Sequence, residues 1–258
     1  MFHLSKWYLD LVTDDGVVVV AYAARLTWGR VGLGYASVLR SMPGQPPDET
    51  SVFGQTEQPN ADGDRLVWKQ RSLGITARWE RLAAPIHKPL LESAAGGITW
   101  TCVMPAARAS IELKAGRYRG IGYVEQLTLT IPPWDLPFNA LRWGRHASET
   151  HSVVWIEWRG SDMRRLVWLD GTEQPSASLD ASGVIGLRDE ARVELGTPRD
   201  LCARPALSRV IDRLPQFSKP IAGRMAAMFE HKMVAPSRLL VAGTAVDSGW
   251  SVFEEVTW

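Results

Sequence analysis

The chain has 258 residues, a mass of 28.6 kDa and 45% hydrophobic residues, enough for one large all-β domain or two small ones, each with its own core. Twenty-nine Lys and Arg stand against 28 Asp and Glu, a formal net charge of +1, so no long-range field selects nucleic acid or an anionic membrane surface. Only two cysteines occur, Cys102 and Cys202, far apart and outside any CxxC or Cys/His cluster, which argues against a zinc site and a disulfide-stapled fold.

The N-terminus, MFHLSKWYLD, has no apolar signal-peptide core, and no apolar run reaches the roughly 20 residues that span a bilayer; a cytoplasmic location and no integral membrane span are expected. Lys6 to Val12 and Val17 to Leu26 flank Thr13-Asp14-Asp15-Gly16, whose Asp-Gly predicts a hairpin. Val31 to Arg40, Leu66 to Lys69 and Leu73 to Leu82 read as further strands, the last alternating Leu73, Ile75, Ala77 and Trp79 with Gly74, Thr76, Arg78 and Glu80. Ala83 to Leu90, with Pro85 and Pro89, reads as a connection. Gly97 to Met104 then places Ile98, Trp100, Cys102 and Met104 on one apolar face.

The stretch from Gly116 holds the main chemical signal. On one face of its strand lie Ile121, Tyr123, Glu125, Leu127 and Leu129, so an acid interrupts an apolar row. A carboxylate drawn into such a site either finds a partner or has its pKa raised, which makes Glu125 the first candidate for proton transfer. Two other acids share the pattern: Asp10, beside Tyr8 and Val12, and Glu254, between Val252 and Val256. For each of the three, an ion pair with an arginine of a neighbouring strand is the plain structural alternative.

Leu141-Arg142-Trp143-Gly144-Arg145 echoes Leu26-Thr27-Trp28-Gly29-Arg30, a hint of two related halves. His151 to Arg159, which contains Trp155, and Arg164 to Asp170 read as paired strands. Only Pro205 to Met233 has helical spacing, with Leu207, Val210, Ile211 and Leu214 on one face and Met225, Met228, Phe229 and Met233 following. Arg238 to Ala245 and Trp250 to Trp258 close the chain as a hairpin.

Twelve tryptophans suit either barrel packing or a cavity shaped for a large hydrophobic ligand or a developing carbocation. No phosphate-binding loop, HExxH helix or GxSxG elbow occurs, and the five histidines are scattered. No metal and no organic cofactor are expected, and the expected partner is a neutral, hydrophobic small molecule.

The run from Trp100 through Pro105, Arg108 and Gly120-Ile121-Gly122-Tyr123-Val124-Glu125 to Trp143-Gly144-Arg145, with the opening Trp7-Tyr8-Leu9-Asp10, resembles the lipocalin-like superfamily of carotenoid 1,2-hydratases (hydroxyneurosporene synthases) and AttH-like proteins. The hydratase motif Gly-Tyr-His-Asp here reads Gly122-Tyr123-Val124-Glu125. The resemblance implies an all-β, lipocalin-like (calycin) antiparallel barrel in two halves, set at residues 1–115 and 116–258, with the helical segment around 205–233. It implies a hydratase-like enzyme that protonates a terpenoid or polyene and hydrates or cyclises it. Glu125 and Tyr123 are the catalytic candidates; Trp100, Tyr8, Asp10, Trp143, Trp155 and Glu254 are the substrate-binding ones. The alternatives are a pericyclic, Diels-Alderase-type cyclase of a polyketide and a non-catalytic lipid carrier.

Overall fold

The computed structural model describes residues 1–160, 163–180, 182–205 and 227–257. By its contacts the chain divides into two compact units: residues 1–131 with 147–152, and residues 132–146 with 153–258. The expected division between 115 and 116 falls instead within a hairpin of the first unit, because the strand that begins at Gly116 is held on both sides by first-unit strands.

The first unit carries ten strands: β1 (Phe2–Val12), β2 (Val18–Trp28), β3 (Val31–Ser41), β4 (Asp48–Gly54), β5 (Asn60–Asp62), β6 (Arg65–Gln70), β7 (Ile75–Arg81), β8 (Ile86–Ser93), β9 (Gly96–Leu113) and β10 (Gly116–Leu129). They form one antiparallel sheet in the order β4-β3-β2-β1-β10-β9-β7-β6-β5, with β8 laid against β9 off that path. The second sheet is built from β11 (Phe138–Ala147), β12 (Ser152–Gly160), β13 (Arg164–Leu169), β14 (Thr172–Glu173), β15 (Ser178–Leu179), β16 (Gly183–Ile185), β17 (Arg192–Leu195), β18 (Arg199–Pro205), β19 (Phe229–Val241) and β20 (Thr244–Thr257). Its order is β14-β13-β12-β11-β20-β19-β17-β16-β15, with β18 against β19. Each strand of the second sheet therefore repeats, in place and in partners, the strand ten earlier.

This is a duplication of topology, and the sequence echo does not report it. Leu26–Arg30 closes β2 and enters the turn before β3, whereas Leu141–Arg145 lies inside β11, the counterpart of β1. The two pentapeptides occupy different positions in their sheets.

Alternation explains the strands locally. In β7, Ile75, Ala77 and Trp79 are buried while Thr76, Arg78 and Glu80 are exposed. The Thr13–Gly16 turn is closed by the Val17 amide donating to Thr13 Oγ1 at 2.9 Å, and Gly16 takes φ 81°, a backbone that a residue without Cβ adopts freely. The stretch read as a connection is partly strand: Ile86–Leu90 lies in β8. β8 is bonded along one side only, which is where a strand tolerates Pro89.

No α-helix occurs among the described residues. Of the predicted helical span, 206–226 lies outside them, while its ends are strand: Pro205 finishes β18 and Phe229–Met233 begins β19, paired with β20 from Thr257 to Phe253. Spacing that read as a helical face there is overruled by a ladder along the whole strand.

The first unit's core holds Trp7, Leu9 and Leu11 of β1, Trp68 of β6, Trp79 of β7, Met104 of β9 and Val124 of β10. The second unit's core gathers Val153, Trp155, Val167, Leu169 and Leu239. Much of the tryptophan content is thus core packing, with buried indoles finding carbonyls: Trp68 Nε1 donates to the Glu57 carbonyl at 2.8 Å and Trp79 Nε1 to that of Asp10 at 2.9 Å.

Candidate functional site

The face of β1 and β10 turned away from the first core carries the candidate chemistry. Trp7, Leu9 and Val124 pack into the core, so Tyr8, Asp10, Tyr123 and Glu125 point the other way. That face is buried as well: Asp10 and Tyr123 are fully covered, and Tyr8 is 2% exposed. Register sets Tyr8 opposite Glu125 and Asp10 opposite Tyr123.

On its other side β10 meets β9, whose pairing shifts twice, between Gly122 and Val124 and between Val124 and Glu125. These irregularities set Cys102 opposite Glu125 and bring Trp100 within reach of it. Trp100 Nε1 donates to Glu125 Oε2 at 2.6 Å, and the Tyr123 hydroxyl donates to the same oxygen at 2.7 Å. Along the adjacent β1 the Tyr8 hydroxyl donates to Asp10 Oδ2 at 3.1 Å. The Tyr8 ring meets those of Tyr22 and Tyr123 edge-on, with centroids 5.3 and 6.0 Å apart. Five of the sequence candidates, Trp100, Tyr123, Glu125, Tyr8 and Asp10, therefore stand together.

Electrostatics follow from this burial. Loss of water pushes the Tyr123 phenol well above its ordinary range, reinforced by the nearby Cys102 and Glu125, so Tyr123 keeps its proton and acts as a donor at neutral pH. Burial likewise pushes the Cys102 thiol up, against a hydrogen bond with Tyr123. Cys102 is thus an inert thiol beneath the acid, and β9 alternation alone does not reveal it because the bulges decide which β9 residue faces Glu125.

Two donors on one carboxylate oxygen do two things. They direct any proton held by Glu125 to Oε1, and they stabilise the charge left on the group once that proton departs. A half-buried carboxyl backed in this way has the parts of a general acid.

The other three candidates lie in the second unit. A Cβ on Gly144 would strike Trp155 and Phe253, which pack with the second core, so Trp143 and Arg145 face away from that core. Trp155 is a core residue. Glu254 pairs with Lys232, a side chain only 2% exposed that also meets Glu230 at 3.0 Å. The ion-pair alternative is realised at Glu254, with a lysine of the neighbouring strand in the place expected for an arginine.

A cleft of about 860 Å3 in the first unit is lined mainly by residues of β7, β9 and β10, about half of them charged, with none of Trp100, Tyr123 or Glu125 among them. Among the described residues no three His, Cys, Asp or Glu side chains are grouped as metal ligands, and no helix is long and apolar enough to cross a membrane.

No family profile and no curated protein sequence matches the chain. Solved structures do. A Nitrosomonas europaea protein described as AttH is similar over 99% of this chain and 92% of its own, with TM-score 0.59 and 12% identity. CghA covers 99% and 88% with TM-score 0.57 and 11% identity, and has also been solved with Sch210972. Kievitone hydratase from Nectria haematococca covers 98% and 88% with TM-score 0.51 and 10% identity. The chain shares their lipocalin-like fold. At these identities the likeness is one of fold, and the AttH-like resemblance read from the sequence is borne out at that level.

Proposed function

We propose that this AttH-like fold houses an enzyme of hydratase or cyclase type that acts on a hydrophobic small molecule, a terpenoid or other polyene, with Glu125 as proton donor. The observation that carries this proposal is the convergence of Trp100 Nε1 and the Tyr123 hydroxyl on Glu125 Oε2. The proton on Oε1 would pass to an alkene carbon, leaving a tertiary cation on its neighbour. Tyr8, Tyr22, Tyr123 and Trp100 supply π faces for that cation. Water, or a second double bond of the same molecule, would then capture it, and the proton released would return to the carboxylate. Neighbours of the same fold that include a hydratase and a cyclase are compatible with such chemistry.

The test begins with mass spectrometry of lipids that co-purify with the protein from its native host, followed by turnover of the identified compound. Glu125→Gln keeps the shape and hydrogen-bonding capacity of the side chain but has no proton to give; turnover should fall about 10²-fold or more while binding persists. Unchanged turnover in a folded Gln variant rules the acid out. A second possibility is pericyclic cyclisation, for which CghA, a cyclase of this fold solved with Sch210972, is the supporting observation. In that case Glu125→Gln leaves the rate intact, and variants that reshape the aromatic wall alter it.

A further inference from the structure

The charged cleft on the first sheet has a pattern of its own. Its floor is the β7–β9–β10 face that points away from the apolar core, since Arg78 alternates with the core residues Ala77 and Trp79. Register sets Arg78 opposite Ser110 and Ser110 opposite Arg119, a row of three side chains on one face with the hydroxyl in the middle. The two arginines start two strand spacings apart, about 10 Å, so their guanidinium groups can close on one small ligand above Ser110.

The charges around the row are already compensated. Arg117 pairs with Glu112, Arg108 holds Glu149 at 3.2 Å, and Glu80 meets Arg65 at 3.8 Å. Among the described residues the side chains of Arg78, Arg119 and Ser110 make no hydrogen bond or ion pair, although all three line the cleft. Asp14 is the one cleft carboxylate outside those pairs, so two free cations face one free anion.

We propose that this cleft binds a compact oxyanion, the phosphate or carboxylate group of a small metabolite, between Arg78 and Arg119 over the Ser110 hydroxyl. A guanidinium presents a planar fork of donors that matches such groups two oxygens at a time, and the serine adds a third direction of donation. A cation finds only Asp14, because the neighbouring glutamates are tied to other arginines. Ordinary exposed arginines are merely solvated; these two differ in being left unpaired, side by side across a ladder, in a concavity whose other arginines are all engaged. The site is separate from Glu125, which lies further along β10 outside the cleft lining.

Calorimetric titration of the full chain tests this, with inorganic phosphate in one arm and acetate in the other, chloride holding the ionic strength low and constant. Saturable one-to-one binding of at least one probe is expected, and the arm that saturates identifies the ligand's chemistry. Arg78→Gln and Arg119→Gln should each weaken it tenfold or more, while Arg30→Gln, exposed in the β2–β3 turn and paired with no cleft residue, leaves it unchanged. All three side chains are on the surface, and a thermal melt beside each titration checks that the variant is folded. Failure of both probes to saturate beyond chloride, or wild-type affinity in both folded cleft variants, overturns the proposal.

Discussion

Glu125 and Glu254 occupy matching places in two identically ordered sheets and meet opposite chemistry there. Glu125 stands nine residues beyond Gly116, the start of β10, and Glu254 ten beyond Thr244, the start of β20, the extra residue being absorbed where the β19–β20 register shifts beside Val246. Across the hairpin Glu125 faces Cys102, whereas Glu254 faces Lys232. One acid receives neutral donors from an indole and a phenol; its counterpart is closed in an ion pair.

That contrast separates the two acids experimentally. Lys232→Met would strand Glu230 and Glu254 beside an apolar side chain and should cost about 3–5 kcal/mol, the scale for removing one member of a buried pair. Replacing both glutamates by Gln in the Met background should recover much of the loss. Glu125→Gln keeps its hydrogen-bonding shape and should cost far less. Urea denaturation of the four proteins measures all of this; equal losses for Lys232→Met and Glu125→Gln would contradict the distinction.

Gly122 is where β10 passes closest to its neighbours. A Cβ there would lie 2.3 Å from the Asp10 carbonyl oxygen and 2.9 Å from Trp79 Nε1, wedging into the hydrogen bond between them. Gly122→Ala should therefore destabilise the first unit by about 1–3 kcal/mol, the usual range for overpacking. A shifted denaturation midpoint together with changed tryptophan emission would register it.

Glu157, in β12, supplies a pH dependence in the second unit. Burial by itself would push its carboxyl up, but Arg165 at 2.9 Å and Arg159 at 2.7 Å outweigh that and hold it below its ordinary value. A group whose folded pKa is depressed contributes its stability in full above the unfolded value, here near 4.5, and loses it as pH falls through the folded value. Acid melts of the wild type should steepen below about pH 4.5, and Glu157→Gln should flatten that part of the profile while lowering stability at pH 7. Parallel profiles for the two proteins would show that the two arginines do not depress this carboxyl.

Period-two alternation made the strands and the faces of this protein legible. It set Glu125 with Tyr123 on one side of β10 and placed Tyr8 with Asp10 on one side of β1, because side-chain direction along a strand depends only on nearest neighbours in the chain. Which strands become neighbours does not. Pairing joins residues more than a hundred apart, as Tyr8 and Glu125 are, and its register was set by the competition of whole faces for burial. The β9 irregularities near Met104 therefore decided that Cys102 and Trp100 would serve Glu125, and the β19–β20 ladder decided that Lys232 would close on Glu254. Repetition of the sheet order likewise left no readable trace in the residues, because a ladder is held by backbone groups common to every sequence, and side chains that keep the alternation can diverge around it.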